Sequence, residues 1–221
     1  MNTLQSVRIE HTAYEKNISS RTVLHFLKGL VPRFIRYTKH ERARHIARRR
    51  GATIGENTVL PITLAKRANA NLFVGHNTSI QTDKIDLRFP VRIGNYCIIG
   101  QCEIITTSHD IDSPDWEPKN YGIEIDDYVW IASNALILPA CRHIEYGAVV
   151  AAGSVVVKNV DKMSVVGGNP AIHLRYRKET HKYLVVESLL SGDLKAYIKA
   201  YKNKNLKRVL INNKLHENIS R

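Results

Sequence analysis

Aliphatic residues recur at every sixth position over the stretch from Ile125 to Arg177. Three such units begin at Ile125, and three more begin at Ile144 after one additional residue, His143. Most of these units have a small residue at their fifth position. A six-residue period is typical of a β-solenoid, in which the aliphatic side chain of each turn becomes buried only when the next turn stacks on it. The pattern therefore predicts a mainly β fold built as a column of short strands.

The same period occurs earlier in the chain, although irregular sequence interrupts it. Its units open at Ile54, Leu60, Val74, Ile80, Ile93, Ile99 and Ile105. Eighteen residues make one three-sided rung, so the two tracts together predict about five rungs. Glycine often occupies the second position, as at Gly55 and Gly94, and we expect these glycines to turn the corners with positive φ angles. Between the tracts, residues 110–124 are polar and contain two prolines. This sequence predicts a loop that projects from the column.

The sequence on either side of the repeats has helical patterning. We therefore divide the chain into a basic helical segment (1–53), a β-helix domain (54–177) and a C-terminal helical segment (178–221). In the first segment, apolar residues cluster before Pro32, and a basic helix is expected from about His40 to Arg50. Two interpretations remain open: these helices cover the open end of the solenoid, or residues 23–50 contact an anionic membrane as a peripheral, amphipathic anchor.

The composition is that of an ordinary globular protein with a strong positive charge. The 221 residues are 43% hydrophobic and 24% charged, and their formal net charge is +13. This charge fits an anionic partner, namely nucleic acid, an anionic bilayer or a small anionic ligand. We expect no nucleic acid, because no recognised nucleic-acid-binding motif is present. No stretch has the ~20 apolar residues of a membrane span, and the N-terminus lacks the order of a signal peptide. We therefore expect a cytoplasmic protein, either free or peripheral at the inner face of the membrane.

The three cysteines are an odd number, which argues against a disulfide framework. Cys97 and Cys141 fall at the fifth position of their units, so we expect them to be small side chains that face the interior. Cys102 falls one position earlier, and the pattern gives it no direction. No pair of histidines has zinc-ligand spacing with cysteine partners, so we predict no catalytic metal.

Three blocks of sequence carry a resemblance to a known family. They are residues 129–140, 147–158 and 166–171, and the last contains Asn169-Pro170-Ala171. In this order, with the loop and a histidine upstream, they resemble the hexapeptide-repeat acyltransferases, in the branch of maltose, galactoside, nodulation-factor and polysaccharide O-acetyltransferases. The resemblance covers roughly Ile54–Arg177. It implies a left-handed parallel β-helix, acetyl-coenzyme A as acyl donor, and a homotrimer with active sites between neighbouring subunits.

The resemblance also implies a catalytic base. A sugar hydroxyl is a poor nucleophile near neutral pH, and histidine suits the task of removing its proton because the ordinary pKa of histidine lies near that pH. The base of the family is a histidine just before the loop, and His109 in the sequence Thr107-Ser-His-Asp matches it. By strict count, His109 falls at the fifth position of its unit, where a buried structural imidazole is the alternative.

Further site residues follow from the same resemblance. Those matched to coenzyme positions are Trp130, Ser133, Ala152, Lys158, Pro170 and Arg175. Trp130 has an equal alternative as a packing residue at a subunit contact. Acceptor candidates are Asp83, Asp86, Asp110, Asp112, Trp116 and Tyr121. For the four carboxylates, the alternative is that they are solvated loop residues. Asp110 and Asp112 are also candidates to orient the imidazole. For the two aromatic residues, the alternative is that they pack against a neighbouring subunit.

The sequence therefore predicts an O-acetyltransferase that acts on a sugar hydroxyl, within a surface polysaccharide or its precursor. Direct transfer is expected, with a histidine base and no covalent intermediate. One alternative is N-acetylation of an amino sugar or an antibiotic on the same fold. A second alternative is a non-catalytic trimer whose basic helices bind membrane or nucleic acid.

Overall fold

The structure is a computed structural model that describes residues 13–178 and 194–203. Contacts divide the chain into two compact units, one made of Met1–Ile35 and Asp193–Arg221 and the other of Arg36–Gly192. Within the described residues, no helix combines the length and the apolar character that a membrane span requires. The predicted boundaries at residues 53 and 177 stay predictions, and residues 1–12, 179–193 and 204–221 lie outside the described residues.

Short parallel strands form three faces of a column in the larger unit. Face A contains β1 (Thr53–Ile54), β2 (Leu72–Val74), β4 (Val91–Ile93), β9 (Ile123–Ile125) and β12 (His143–Ile144). Face B contains β3 (Ser79–Ile80), β5 (Ile98–Ile99), β10 (Trp130–Ile131), β13 (Val149–Val150), β15 (Ser164–Gly168) and β16 (Ala171–Tyr176). Face C contains β6 (Glu103–Ile104), β11 (Leu136–Ile137) and β14 (Val155–Val156). The chain visits the faces in the order A, B, C, so the column has an A–B edge, a B–C edge and a C–A edge.

The hexapeptide period places one aliphatic column inside each face. Ile131 on β10 is level with Ile99 on β5 and Val150 on β13, and all three side chains are buried. Residues at the fifth position fill the space beside them: Cys97 and Cys141 are buried as predicted, and burial raises the pKa of each thiol to about 12. On β10, β11, β13 and β14 the residue after the fifth position is exposed or half-buried and the next is buried, so these two-residue strands alternate between solvent and core, whereas both residues of β3 are buried.

Two corners of the column are one residue shorter than the period. The step from Ile99 to Ile104 spans five residues, whereas the level step from Ile131 to Ile137 spans six. Ile104 is therefore the buried residue, and the unit that we predicted to open at Ile105 is wrong by one position. The same shortening gives Cys102, which had no predicted direction, a buried position.

At the A–B edge, the corners are turned by the fourth residue of the unit and not by the second. Positive φ angles occur at Asn57, Asn77, Tyr96 and Tyr128, whereas Gly55 and Gly94 are not among the residues with positive φ. The prediction for the second position was therefore wrong. Glycine is needed there because the next rung lies so close: a Cβ on Gly55 would lie 2.5 Å from the carbonyl group of Gly75.

Helices replace strands at the start of the column. Helix α3 (Ile62–Arg67) follows Pro61, so the unit predicted to open at Leu60 is helical after its first two residues. Helix α2 (Val23–Arg49) runs unbroken through Pro32, which contradicts the prediction of two helices, and α1 (Ala13–Ser19) precedes it. Arg33 Nη1 donates to the Gly29 carbonyl oxygen (2.9 Å) in the turn around this proline.

The C-terminal half of α2 packs on the first rung. Ala43 and Ala47 join the buried core of the column. Arg44 is buried and donates to the Thr58 carbonyl oxygen (2.6 Å), and Arg48 donates to the Ile54 carbonyl oxygen through Nε (2.9 Å) and Nη2 (2.6 Å). These arginines satisfy carbonyl groups at the exposed end of the column, as expected for a helix that covers it.

The predicted loop is an antiparallel hairpin at the C–A edge. It consists of β7 (Thr107–His109) and β8 (Pro118–Asn120), and Tyr121 N donates to the Thr106 carbonyl oxygen (2.9 Å). The column resumes at β9, inside the range predicted as a loop. We call residues 107–120 the hairpin arm.

Candidate active site

His109 ends the first strand of the hairpin arm and is exposed. The alternative of a buried structural imidazole is thereby excluded. Nδ1 of the ring lies 2.8 Å from the backbone carbonyl oxygen of Trp116. The indole of Trp116 packs edge-on against the imidazole, with ring centroids 6.1 Å apart, and Trp116 itself has a φ of 52°. The tip of the arm therefore holds the imidazole from two sides.

This contact determines which ring nitrogen carries the proton. A carbonyl oxygen can only accept a hydrogen bond, so Nδ1 of His109 must donate and the neutral ring has its lone pair on Nε2. Nε2 can then accept a proton from a group that approaches the exposed side of the ring. The geometry is that of an oriented general base.

Other histidines on the column are held differently. His76 Nδ1 accepts a hydrogen bond from the backbone N–H of Glu56 (3.0 Å), so its Nε2 carries the proton. His143 Nε2 lies 2.9 Å from Asp126 Oδ1, and this hydrogen bond raises the pKa of His143. Neither ring presents a lone pair on Nε2 in the way that His109 does.

The acidic residues of the arm do not contact the imidazole. Asp110 Oδ2 lies 2.7 Å from Lys119 Nζ, and Asp110 Oδ1 accepts from the backbone N–H of Asp112 (3.1 Å). The hydrogen bond from Lys119 lowers the pKa of Asp110. Asp112 is exposed. The orienting contact that the sequence suggested for these carboxylates is made by the Trp116 carbonyl group instead.

Asp86 supports the base of the arm. Its carboxylate accepts hydrogen bonds from Arg88 Nε (2.9 Å), from the Thr106 N–H (3.3 Å) and from Thr107 Oγ1 (3.1 Å). Partial burial opposes ionisation, but the hydrogen bonds from Arg88 and Thr106 hold the pKa of Asp86 well below its usual range. Asp86 is therefore bound to protein groups, and one of them, Thr107, lies two residues before His109 on β7.

The remaining acceptor candidates lie apart from the imidazole. The ring of Tyr121 packs against the guanidinium group of Arg142, whose carbon lies 4.3 Å from the ring centroid. Asp83 lies on the B–C edge, where its carbonyl oxygen accepts from Arg67 Nη1 (2.9 Å). A recess of about 460 Å³ opens at this edge beside Asn134. The two rungs that line it have the five-residue corners, from Ile80 to Ile85 and from Ile99 to Ile104. Its polar lining includes Gln81, Asp83, Lys84, Gln101, Glu103 and Asn134.

Ser133 and Ala152 lie one above the other on the B–C edge. Both are exposed, and Gly153 N donates to the Ser133 carbonyl oxygen (3.1 Å) between the two rungs. The backbone N–H groups of the flanking residues, Ala132, Asn134, Ala151 and Gly153, donate to carbonyl oxygens of other rungs. Within residues 13–178, the N–H groups of Ser133 and Ala152 donate to no backbone carbonyl. Two amide donors are thus left for a ligand that runs along this edge.

Of the other coenzyme candidates, three lie on face B or in the turn that ends it, and one does not. Trp130 faces outward on β10, with 44% of its surface exposed. Pro170 is in the turn between β15 and β16, and Arg175 is exposed on β16 opposite Val165. Lys158 follows β14 and lies on the C–A edge, where the chain passes from face C towards face A.

The residues that hold His109 were not identified from the sequence. The Trp116 carbonyl group has no signature, because every residue has one, and the Asp110–Lys119 pair depends on the hairpin register. Two prolines and the loss of the six-residue period marked the arm itself. Within residues 13–178 and 194–203, no group of three or more His, Cys, Asp or Glu side chains is placed to hold a metal ion.

Comparison with known proteins gives the family. No family model matches the chain. WcaF of Escherichia coli K12, provisionally assigned as a colanic acid biosynthesis acetyltransferase, is 30% identical over 132 residues, which are 59% of this chain and 72% of WcaF. The chain belongs to the hexapeptide-repeat acetyltransferases. The predicted fold class, a mainly β, left-handed parallel β-helix, is confirmed. Its hand departs from the right-handed rule for parallel crossovers.

Two further similarities are less extensive. A provisionally assigned acetyltransferase of Schizosaccharomyces pombe is 33% identical over 92 residues, which span 38% of this chain but only 42% of that relative. The hexapeptide-repeat acetyltransferase VCA0836 of Vibrio cholerae, solved with acetyl coenzyme A, has 31% identity and a TM-score of 0.42 over 58% of this chain and 62% of its own.

Proposed function

We propose that this protein is an acetyl-coenzyme A-dependent O-acetyltransferase that acts on a sugar hydroxyl of a surface polysaccharide or its precursor. The observation that carries the proposal is the hydrogen bond between His109 Nδ1 and the Trp116 carbonyl oxygen, which leaves the lone pair of the neutral ring on Nε2. Membership of the acetyltransferase family supports acetyl-coenzyme A as donor, and the relation to WcaF supports a polysaccharide acceptor.

The proposed reaction is a direct transfer. The sugar oxygen attacks the thioester carbonyl carbon while His109 Nε2 takes the hydroxyl proton. The tetrahedral intermediate then collapses with cleavage of the C–S bond, and the imidazolium returns its proton to the departing thiolate. The products are an acetyl ester and free coenzyme A. The Trp116 carbonyl group stabilises the imidazolium that forms, because it accepts the Nδ1 proton throughout.

The two edges of the column support a site shared between subunits. His109 and Lys158 belong to the C–A edge, whereas Ser133, Ala152 and Pro170 belong to the B–C edge of the same chain. A single molecule of acetyl-coenzyme A would contact the residues of both edges if the C–A edge of one copy faces the B–C edge of the next. We therefore propose a cyclic homotrimer with three such sites.

Subunit mixing tests this arrangement. His109→Ala removes the base, and Ala152→Trp fills the donor edge, so each variant alone should be inactive. After the two are unfolded and refolded together, about a quarter of the shared sites should contain one intact edge of each kind. Recovered activity near that fraction supports the shared site. If the mixture stays inactive although both variants retain the size and melting temperature of the wild type, both edges serve a site within one chain.

The reaction itself is tested with labelled acetyl-coenzyme A and a panel of polysaccharide repeat units, free sugars and amino sugars, read by the mass of the product. Base-labile acetyl ester on a hydroxy sugar is the expected result. Label that appears only as an amide on amino sugars would show N-acetylation and overturn the assignment. Donor binding without transfer to any acceptor would instead indicate a non-catalytic binding protein.

A further inference from the structure

The N-terminal half of α2 exposes a continuous apolar surface. Its members are Val23, Leu24, Leu27, Val31 and Phe34, which are between 52% and 64% exposed. Leu24, Leu27, Val31 and Phe34 are three to four residues apart and Val23 adjoins Leu24, which places all five on one side of the helix. We call this set the α2 stripe. Five large apolar side chains on one helix face form a patch of the kind that marks an interaction site, whereas scattered apolar residues do not.

The other described helices of this unit, α1 and a helix at residues 194–203, pack on the side of α2 that carries Phe26 and Leu30 and not on the α2 stripe. Residues 194–203 pack on a different side of α2, where the Phe26 ring stacks with the rings of Tyr197 and Tyr201 at centroid distances of 4.9 Å and 3.8 Å. Tyr197 is fully buried, and its hydroxyl donates to the Phe26 carbonyl oxygen (3.0 Å). The three helices therefore form a small packed body of their own, which leaves the stripe exposed.

The same body carries an excess of positive charge. Residues 13–35 and 194–203 contain one acidic residue, Glu15, against seven lysines and arginines: Lys16, Arg21, Lys28, Arg33, Lys195, Lys199 and Lys202. Lys28 follows Leu24 by one helical turn and flanks the stripe. Lys195, Lys199 and Lys202 are exposed and share one face of their helix.

We propose that the α2 stripe docks on the surface of an anionic lipid bilayer, with the apolar side chains at the headgroup–acyl boundary and the cations among the anionic headgroups. Apolar residues on one face of a helix with cations beside them are the features that hold an interfacial helix on such a surface. Each lysine or arginine near the surface adds to the attraction. A second copy of the chain fits less well, because pairing two stripes would bring two cationic bodies together. This inference is independent of the catalytic proposal.

Co-sedimentation of the full chain with vesicles tests the proposal. Vesicles of phosphatidylcholine with phosphatidylglycerol should bind the protein, vesicles of phosphatidylcholine alone should bind it at least tenfold more weakly, and added salt should weaken the anionic binding. Leu27→Glu with Val31→Glu should reduce binding to anionic vesicles at least tenfold. The matched control is Ile172→Glu with Leu174→Glu, which adds the same charges at exposed apolar positions on β16 and should bind like the wild type.

A third variant guards against misfolding of the first. Lys195→Gln with Lys199→Gln and Lys202→Gln leaves the α2 stripe intact and should weaken binding to anionic vesicles severalfold, with an unchanged melting temperature. Equal binding by the stripe variant and the β16 control would overturn the proposal, as would binding that ignores lipid charge. A lower oligomeric mass for the stripe variant in the absence of lipid would show that a second copy covers the stripe, and would also overturn it.

Discussion

The column and the hairpin arm each present an exposed histidine, and they hold the ring in opposite ways. On the column, the regular corner offers His76 a backbone N–H from Glu56, which places the ring proton on Nε2. On the arm, the departure from the repeat offers His109 a backbone carbonyl group from Trp116, which places the lone pair on Nε2. Stacked rungs thus hold one ring with its Nε2 protonated, while the interruption of the stack holds the proposed base with its Nε2 lone pair free of a protein donor among the described residues.

The largest expected effect comes from removing the imidazole of the arm. His109→Ala should lower the turnover number by about 10²- to 10⁴-fold, because a positioned base contributes that much to proton transfer. Binding of the donor, measured by calorimetry, should change little, since the substitution leaves the B–C edge intact. Wild-type turnover in this variant would contradict the role of the arm.

The matched control for that experiment is His76→Ala on the column. Both side chains are exposed histidines with one hydrogen bond to the backbone, so the substitutions remove the same atoms. We expect less than about a twofold change in turnover for His76→Ala, since its ring is on the A–B edge and not on the arm. If His76→Ala lowered the turnover number as much as His109→Ala, the column and the hairpin arm would not differ in their effect on catalysis.

Stability should show the opposite ranking. Ile131 is fully buried at the centre of face B, and Ile131→Ala should lower the free energy of unfolding by about 2–5 kcal/mol through lost burial and the cavity that remains. Ile111 on the arm is 85% exposed, and Ile111→Ala should change it by less than about 0.5 kcal/mol. Denaturant unfolding at one fixed protein concentration measures both. Equal losses would mean that the arm is part of the core.

A smaller effect is expected where the arm joins the column. Asp86→Asn weakens the hydrogen bonds to Arg88, Thr106 and Thr107, and we expect turnover to fall about tenfold because His109 is less firmly positioned. The control is Asp112→Asn, an exposed carboxylate on the same arm, with turnover near the wild type. A loss confined to the Asp112 variant would assign the acceptor contact to that residue and remove the support role from Asp86.

The smallest effect concerns the pH dependence of stability. Hydrogen bonding to Asp126 raises the pKa of His143 in the folded protein, so its contribution is fully present below the ordinary histidine value of ~6.5 and is lost as pH rises through the raised pKa. The side chains of His143 and Asp126 are 36% and 34% exposed, so solvent screening limits the pair to about 0.2–1 kcal/mol. His143→Gln should therefore destabilise the protein at pH 6 more than at pH 9. A pH-independent difference would contradict this sign.

The sequence predicts the column better than the arm, for a physical reason. Burial of Ile131, Val150 and Cys97 depends only on a repeating neighbour one rung away, so the period itself encodes it. The Trp116 carbonyl contact depends on the register of a hairpin between β7 and β8, and backbone groups leave no residue-specific trace. His109 is predicted as the base because a resemblance marks it, and the structure adds the contact that orients its ring.

Within the column, the errors came from applying the period too strictly. A five-residue corner moves the buried position from Ile105 to Ile104, and nothing in the aliphatic pattern distinguishes these two neighbouring isoleucines. The glycines at second positions were assigned to the wrong physical need, since close approach of the next rung requires them at Gly55 whereas Asn57 turns the corner. Sequence spacing gives the location of a corner but not which residue bends there.

The arginine-covered first rung also limits how the protein can polymerise. An open β-column ends in strands whose unpaired carbonyl groups can recruit another chain and start a fibre. Here Arg48 occupies the Ile54 carbonyl oxygen and Arg44 occupies that of Thr58, with the helix backbone lying across the end. Stacking of another column on this terminus would require the helix and its two arginines to leave the first rung.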